Sequence, residues 1–217
     1  MTTILHIDTT QYKAFIAISQ GKNILFQSEQ EEYNQHSEFL FSSLEKIQKE
    51  YILLKDLNAV SVCVGPGSYT GIRVSLSAVL ALSKVAHIPI IPLNSLEIVM
   101  SCYASEKNEN QVFVPLLHAR ENEVFMSQYN SHFETTLEPH LSTYSKLLEK
   151  EESQLQYLCY ENELEIHKKK LLGRKLNGLT FKVEYMIERA LSNFSKNKIV
   201  NAENLTAYYL KDVYVNK

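Results

Sequence analysis

The chain has 217 residues, 45% of them hydrophobic, with 22 Lys and Arg against 25 Asp and Glu. That length fits one large domain or two small ones and supplies enough apolar surface for a core. A net charge of −3 excludes a bulk basic signal for nucleic acid, and three scattered cysteines exclude a disulfide framework.

Ile4 to Ile7 is a short β-like run that starts without a basic leader or a long apolar segment, so a cytoplasmic protein with no membrane contact is expected. It ends in Asp8-Thr9-Thr10. Two further strands, Ala14 to Ile18 and Asn23 to Phe26, flank a hairpin at Gly21. An Asp followed by two hydroxyl residues at a strand end either holds a metal-bound phosphate or makes an ordinary Asx-type turn. From His36 the pattern turns helical. Leu40, Phe41, Leu44, Ile47 and Tyr51 gather on an arc about 120° wide, which leaves Phe39 off the stripe. His36 opens this helix and is expected near solvent or an interface. None of the seven histidines falls in HxxxH or HExxH spacing.

The centre of the chain runs from Val60 to Ala86. Three of its six glycines, Gly65, Gly67 and Gly71, fall between an apolar run, Val60 to Val64, and a long stretch free of Gly and Pro. This reads as strand, tight loop and helix, and the loop is either a sharp turn or a phosphate site at a helix N-terminus. Ile72 after Gly71 rules out a Walker A lysine. On the helix, Arg73, Ser77 and Lys84 fall within about 40° of each other, and apolar residues occupy roughly 260° of the circle. A helix on one sheet face needs an apolar arc of about 100°. The surplus must meet a neighbouring helix, a second domain or another chain.

Ile88 to Pro92 is a short buried strand, and Asn94 or Ser95 caps a helix through about Tyr103. Residues 105–111 are wholly polar and mark the best domain boundary. Val112 to Leu117 and Glu123 to Tyr129 form a second hairpin around His118-Ala119-Arg120. Leu141 to Glu149 reads as a helix, Leu155 to Tyr160 as a strand, and Lys182 to Phe194 as a helix. The tail from Leu205 is extended. Cys63, Cys102 and Cys159 sit in apolar or aromatic runs and read as reduced core residues. Both halves open on hairpin strands and continue with helices, which suggests a duplicated α/β unit.

Several motifs coincide in order: Ile7-Asp-Thr-Thr10, His36-Ser-Glu38, Gly65-Pro-Gly-Ser-Tyr-Thr-Gly-Ile-Arg73, Asn94-Ser-Leu-Glu97, His118-Ala-Arg120 with Glu123-Val-Phe125, and Tyr209-Leu-Lys211. Together they resemble the TsaB (YeaZ) family, densely over the first 125 residues or so. The resemblance implies an α/β, two-domain actin-like ATPase fold (sugar kinase/Hsp70/actin, ribonuclease-H-like) with a degenerate nucleotide site. It places an N-terminal domain at 1–105, with the tail from about 200 to 217 packed back on it, and a smaller domain at 106–200. It also implies an accessory subunit without its own active site. The catalytic TsaD-type partner would carry the metal and move a threonylcarbamoyl group from threonylcarbamoyl-AMP to the adenosine beside the tRNA anticodon. A TsaE-type ATPase would join, tRNA would be met mainly through the complex, and the chain alone would form a homodimer.

The residues carried over are Asp8, Thr9, Thr10, Gly65, Gly67, Ser68 and His118 for the degenerate phosphate cleft, with no cofactor of its own beyond weak nucleotide binding. The partner surface is expected from His36, Phe39, Leu40, Ser43 and Ile47 on the first helix. Ile72, Arg73, Ser75, Leu76, Val79, Leu80 and Ser83 would supply the rest from the second. On that expectation Val79→Glu or Leu76→Arg would abolish pairing in a chain that still folds. Ser75 stands where the family has Gly, His118 where it has Asp, and Lys211 where it has Arg. An alternative is a stand-alone nucleotide-binding ATPase or kinase-like enzyme of this fold, using Asp8 and the loop at Gly65–Ser68. A metallopeptidase would need three protein ligands. Direct tRNA contact would fall to Lys168, Lys169, Lys170, Arg174 and Lys175.

Overall fold

The computed structural model describes residues 1–31, 35–103, 111–149 and 154–211. They form two compact units. One comprises Met1–Ser95 with Val183–Tyr208, the other Leu96–Lys182 with Tyr209–Lys217. The sequence placed the boundary at 105/106, whereas the units divide after Ser95 and again after Lys182, which returns the last helix to the first unit. Most of the polar stretch 105–111 lies outside the described residues.

In the first unit, β1 (Thr3–Asp8), β2 (Ala14–Gln20) and β3 (Asn23–Gln30) form an antiparallel meander. Gly21 takes φ +58 at its first turn, a left-handed conformation that favours glycine. Helix α1 (His36–Glu50) leads to β4 (Ala59–Gly65), which pairs parallel with β1. Helix α2 (Tyr69–Ala86) crosses to β5 (Ile90–Asn94), parallel to β4. The sheet order is β3-β2-β1-β4-β5. Parallel neighbours need such a helical crossover, and their strands are buried on both faces, which is why β1 and β4 are mostly apolar, with His6 and Ser61 the polar residues in their interiors. Leu5, Ile7, Val60 and Val62 meet Leu40, Ile47, Ile72 and Val79 in one core.

After α3 (Ser95–Ser101), the second unit repeats this order. It runs β6 (Val112–His118), β7 (Glu123–Tyr129), β8 (Thr135–Thr143), α4 (Tyr144–Glu149), β9 (Leu155–Tyr160), α5 (Leu164–Lys170) and β10 (Leu176–Leu179). The sheet is β10-β9-β6-β7-β8, with β6–β9 and β9–β10 parallel. Read from its meander edge, this is the topology of the first sheet. The chain is a duplicated α/β unit. Helix α6 (Val183–Ser195) follows β10 and packs on β5 of the first unit. The three cysteines are free and buried.

Three expectations need correction. Residues 141–143 belong to strand β8, and the helix starts only at Tyr144. Strand β8 itself carried no sequence signal, because it is an edge strand interrupted by Pro139, and an edge strand needs no continuous apolar face. On α1 the buried set is His36, Leu40, Ser43 and Ile47, and Phe41 is 63% exposed. The buried arc is rotated by roughly 70° from the expected stripe toward Phe39, which packs half-buried against the core. Strands β2 and β3, on which α1 lies, set that rotation.

Candidate functional site

The loop from Gly65 and the turn from Asp8 are brought together in the first unit. The Oδ1 of Asp8, at the end of β1, accepts hydrogen bonds from the Thr10 amide at 2.7 Å and the Thr10 hydroxyl at 2.7 Å. The Ser68 amide donates to the Thr10 carbonyl at 2.8 Å, and the Thr9 hydroxyl donates to the Gly71 carbonyl at 2.5 Å. Gln11 bridges the two segments, its side-chain amide donating to the Thr10 hydroxyl and to the Pro66 carbonyl. Ser68 caps α2, its hydroxyl accepting from the Gly71 amide.

The glycines answer to this contact. A Cβ on Gly71 would lie 1.9 Å from the Thr9 carbonyl oxygen, and one on Gly67 would lie 2.5 Å from that of Thr10. At Gly65, φ is +113 and a Cβ would meet the Tyr208 carbonyl oxygen at 2.8 Å. The Tyr208 amide meanwhile donates to the Val64 carbonyl at 2.8 Å. Each close approach is made by the chain's own backbone, so the glycine spacing is that of a tight, internally packed turn. Asp8 is 5% exposed, and burial raises its carboxyl above the usual carboxylate range. Hydrogen bonds from Thr10 and Cys63, and the nearby His36, work against that rise.

His36 is buried within the unit, where its place at a helix start suggested solvent or an interface. Burial lowers its pKa, and a backbone hydrogen bond at Tyr12 and the charge of Asp8 oppose this. Leu40, Ser43 and Ile47 on α1 are likewise buried inside the unit, as are Ile72, Ser75, Leu76, Val79 and Ser83 on α2. Phe39 and Leu80 are half-buried against the same core, and Arg73 alone of that set is exposed. The wide apolar arc of α2 is therefore filled by the chain itself. Strands β1 and β4, helix α1 and two 3-10 turns, Leu54–Asp56 and Ala202–Asn204, surround the helix. Val79 is 0% exposed, so Val79→Glu would bury a charge in the fold instead of blocking a surface. It should cost about 4 kcal/mol or more and unfold the chain, as thermal melts would show. What α1 and α2 leave outside includes Phe41, Tyr69, Arg73, Ala81 and Val85, of which only Arg73 was in the expected partner surface. Tyr69, Arg73, Ser77, Ala81 and Val85 follow one another in steps of four along α2, and the Arg73 guanidinium sits over the Tyr69 ring, 5.3 Å from its centroid.

His118 belongs to the second unit, at the carboxyl end of β6. Its Nδ1 lies 3.1 Å from the Tyr144 hydroxyl, and that hydroxyl lies 2.9 Å from His167 Nδ1. His167 Nε2 is 3.1 Å from Glu163 Oε2, which also accepts the His118 amide at 2.9 Å. Sequence reasoning missed Tyr144, Glu163 and His167, and the only signal was the four-residue step between Glu163 and His167. Burial lowers the pKa of His118; Glu163 opposes this, and His167 and Lys170 add to it. Among the described residues, no group of three or more His, Cys, Asp and Glu is placed to hold a metal ion. No helix there is long and apolar enough to cross a membrane.

The family model for TsaD, tRNA N6-adenosine threonylcarbamoyltransferase, matches residues 28–212. The tRNA threonylcarbamoyladenosine biosynthesis protein TsaB of Buchnera aphidicola subsp. Schizaphis graminum is 28% identical over 127 residues. That stretch is 58% of this chain and 60% of the relative, so the match spans less than two thirds of the relative's length. In three dimensions the chain is similar to YeaZ from Pseudomonas aeruginosa, with a TM-score of 0.79 at 17% identity over 97% of this chain and all of that one. It is also similar to a putative N-acetylmannosamine kinase from Listeria monocytogenes, with a TM-score of 0.50 at 10% identity over 91% of this chain and all of that one. These likenesses, with the doubled topology, give the two-domain actin-like, sugar-kinase type of fold. The chain belongs to the TsaD-type tRNA N6-adenosine threonylcarbamoyltransferase family and, within it, to the TsaB/YeaZ group.

Proposed function

We propose that this chain is a non-catalytic subunit in the formation of N6-threonylcarbamoyladenosine in tRNA, working in the cytoplasm as a platform for a TsaD-type catalytic partner. The observation that carries the reading is the turn between β4 and α2. The backbone of Thr9 and Thr10 fills the space its glycines leave, where a phosphate-binding loop would keep that space for a ligand. The names of the relatives and the family match point to threonylcarbamoyladenosine formation in tRNA, and in this reading the group moves from threonylcarbamoyl-AMP to the adenosine beside the anticodon. In this reading the partner carries the metal, a TsaE-type ATPase joins the pair, and tRNA is met mainly through the assembly. Without the partner, the chain pairs with itself.

The pairing surface is what the core of the first unit leaves exposed on α1 and α2, centred on Phe41, Tyr69, Arg73 and Val85. Val85 is 76% exposed and Phe41 63%, so a charge at either leaves the fold intact. Val85→Glu and Phe41→Glu should each weaken association by tenfold or more, about 1.4 kcal/mol, with unchanged melting. Size-exclusion chromatography with light scattering, on the chain alone and with the matching TsaD-type protein, reads this directly. A wild-type chain that stays monomeric and ignores that protein would overturn the platform. Steady ATP turnover by the purified chain, abolished in Asp8→Asn, would instead establish the kinase-like alternative.

A further inference from the structure

The second unit carries a surface that the pairing stripe of the first unit does not use. It lies where α4 and α5 meet the turn that leads into β10. Leu148 on α4, Ile166 on α5 and Leu172 in that turn are 40%, 38% and 76% exposed. Single exposed aliphatic residues are ordinary, so what counts is whether the three share one place. They do. The Arg174 amide donates to the Leu171 carbonyl at 3.1 Å and Gly173 has φ +76, the positive φ that the third residue of a type II turn requires. Leu172 therefore stands at the outer corner of that turn. The Arg174 guanidinium donates to the Leu148 carbonyl at 2.7 Å, which ties the turn to the end of α4. The Lys170 ammonium lies over the ring of Tyr144, one helical turn before Leu148, and Ile166 precedes Lys170 by one turn on α5. The three aliphatic side chains border one seam.

The seam is basic in a chain of net charge −3. Along residues 144–149 and 163–175 stand six basic side chains, Lys146, Lys168, Lys169, Lys170, Arg174 and Lys175, against three carboxylates. Of those carboxylates, Glu163 is turned inward to the His118 amide, and Glu165 is held by Lys168 at 3.0 Å. Lys146, Lys169 and Lys175 are exposed, with no carboxylate at ion-pair distance among the described residues. The sequence assigned the basic run here to direct tRNA contact, but two of its five cations, Lys168 and Arg174, are engaged by the chain itself.

We propose that this seam docks an acidic, amphipathic segment of a partner protein. Apolar side chains of that segment cover Leu148, Ile166 and Leu172, and its carboxylates meet Lys146, Lys169 and Lys175 at the rim. The mixture of side chains favours this occupant over other polyanions. Phosphate backbones gain nothing from exposed leucines, and single-stranded nucleic acid stacks on aromatic rings, whereas Tyr144 beneath the seam is 1% exposed. A membrane surface calls for a broad apolar helix face, and α5 offers only Ile166 among its seven residues. The seam is also separate from α1 and α2, so Val85→Glu should leave its binding unchanged.

The test uses a short helical peptide of Leu, Glu and Ala, with its leucines on one face, titrated into the nitrogen-labelled full chain. Amide resonances of residues 144–149 and 164–175 should shift together. A control peptide with Ser for each Leu keeps the charge and should bind at least about tenfold more weakly. Leu172→Ser should weaken binding of the first peptide about tenfold, and Lys169→Glu with Lys175→Glu should do the same, all with unchanged melting because these side chains are exposed. Equal binding of the two peptides overturns the proposal, since it marks diffuse charge attraction. So does a leucine peptide that moves none of these resonances. Shifts produced instead by tRNA, or by phosphatidylglycerol vesicles, and left unchanged by Leu172→Ser would give the seam to nucleic acid or to a membrane.

Discussion

Replacing Gly71 by alanine should destabilise the chain by about 3 kcal/mol, although the same change in most helices is stabilising. Gly71 lies in the first turn of α2, where propensity alone favours alanine by about 1 kcal/mol. The opposing effect is steric and larger. The new Cβ would stand 1.9 Å from the Thr9 carbonyl oxygen and 2.9 Å from its carbon, against an ordinary C···O contact of about 3.3 Å or more. Relief demands a shift of more than about 1 Å between two backbone segments. Those segments are tied by the Thr9 hydroxyl on the Gly71 carbonyl and the Ser68 amide on the Thr10 carbonyl. Overpacking against backbone costs about 1–3 kcal/mol and at times more, and the lost hydrogen bonds add about 1 kcal/mol each. Urea unfolding of both proteins measures the difference. An alanine variant that proves more stable than wild type would show that the loop is not seated on the Asp8–Thr10 turn, and the internal-packing account would fall with it.

Acid should unfold the protein from the inside of the first sheet. His6 is 0% exposed in β1, its Nδ1 2.7 Å from the Ser61 hydroxyl and its Nε2 2.9 Å from the Ser19 hydroxyl. Burial pushes its pKa down to about 3 from 6.5, so the folded chain keeps this ring neutral while the unfolded chain protonates it. The unfolded state binds the extra proton between those two values. Stability is therefore fully present above about pH 6.5 and is lost as pH falls toward about 3, by up to about 5 kcal/mol. Asp8 acts in the opposite sense. Its raised pKa contributes stability that is fully present below its unfolded value and fades as pH rises through the folded one.

The variant His6→Gln isolates the histidine, because every other group stays in place. It will be less stable at neutral pH, where Ser61 and Ser19 lose their partner. Its stability should, however, flatten across the acid window, its slope falling below wild type by close to 1.4 kcal/mol per pH unit. Parallel pH profiles for the two proteins would mean that His6 is not the buried proton acceptor described.

The sequence by itself determined the local elements. The alternating and continuous apolar runs of β1, β2 and β4 and the helical spacing of α2 and α6 specify their own conformations, since propensity and periodicity act over a few residues. Ordered motifs at Asp8, Gly65 and His118 also carried the family. What covers each face was decided only by tertiary structure. The apolar excess of α2 leaves open whether a neighbouring element or another chain covers it; sheet, helix and two short turns consume it, and the exposed stripe keeps Arg73 of the expected partner surface and adds Tyr69 and Val85. On α1 a rotation of the buried arc exchanges Phe41 for Phe39, because the strands beneath choose the face. The glycine loop looks like a ligand cradle until Thr9 and Thr10 arrive from another part of the chain. The links from His118 to Tyr144, Glu163 and His167 join residues 26 to 49 positions apart, and no local rule reaches that far. Conformation is set by neighbours in sequence, and burial, with the chemistry it creates, by neighbours in space.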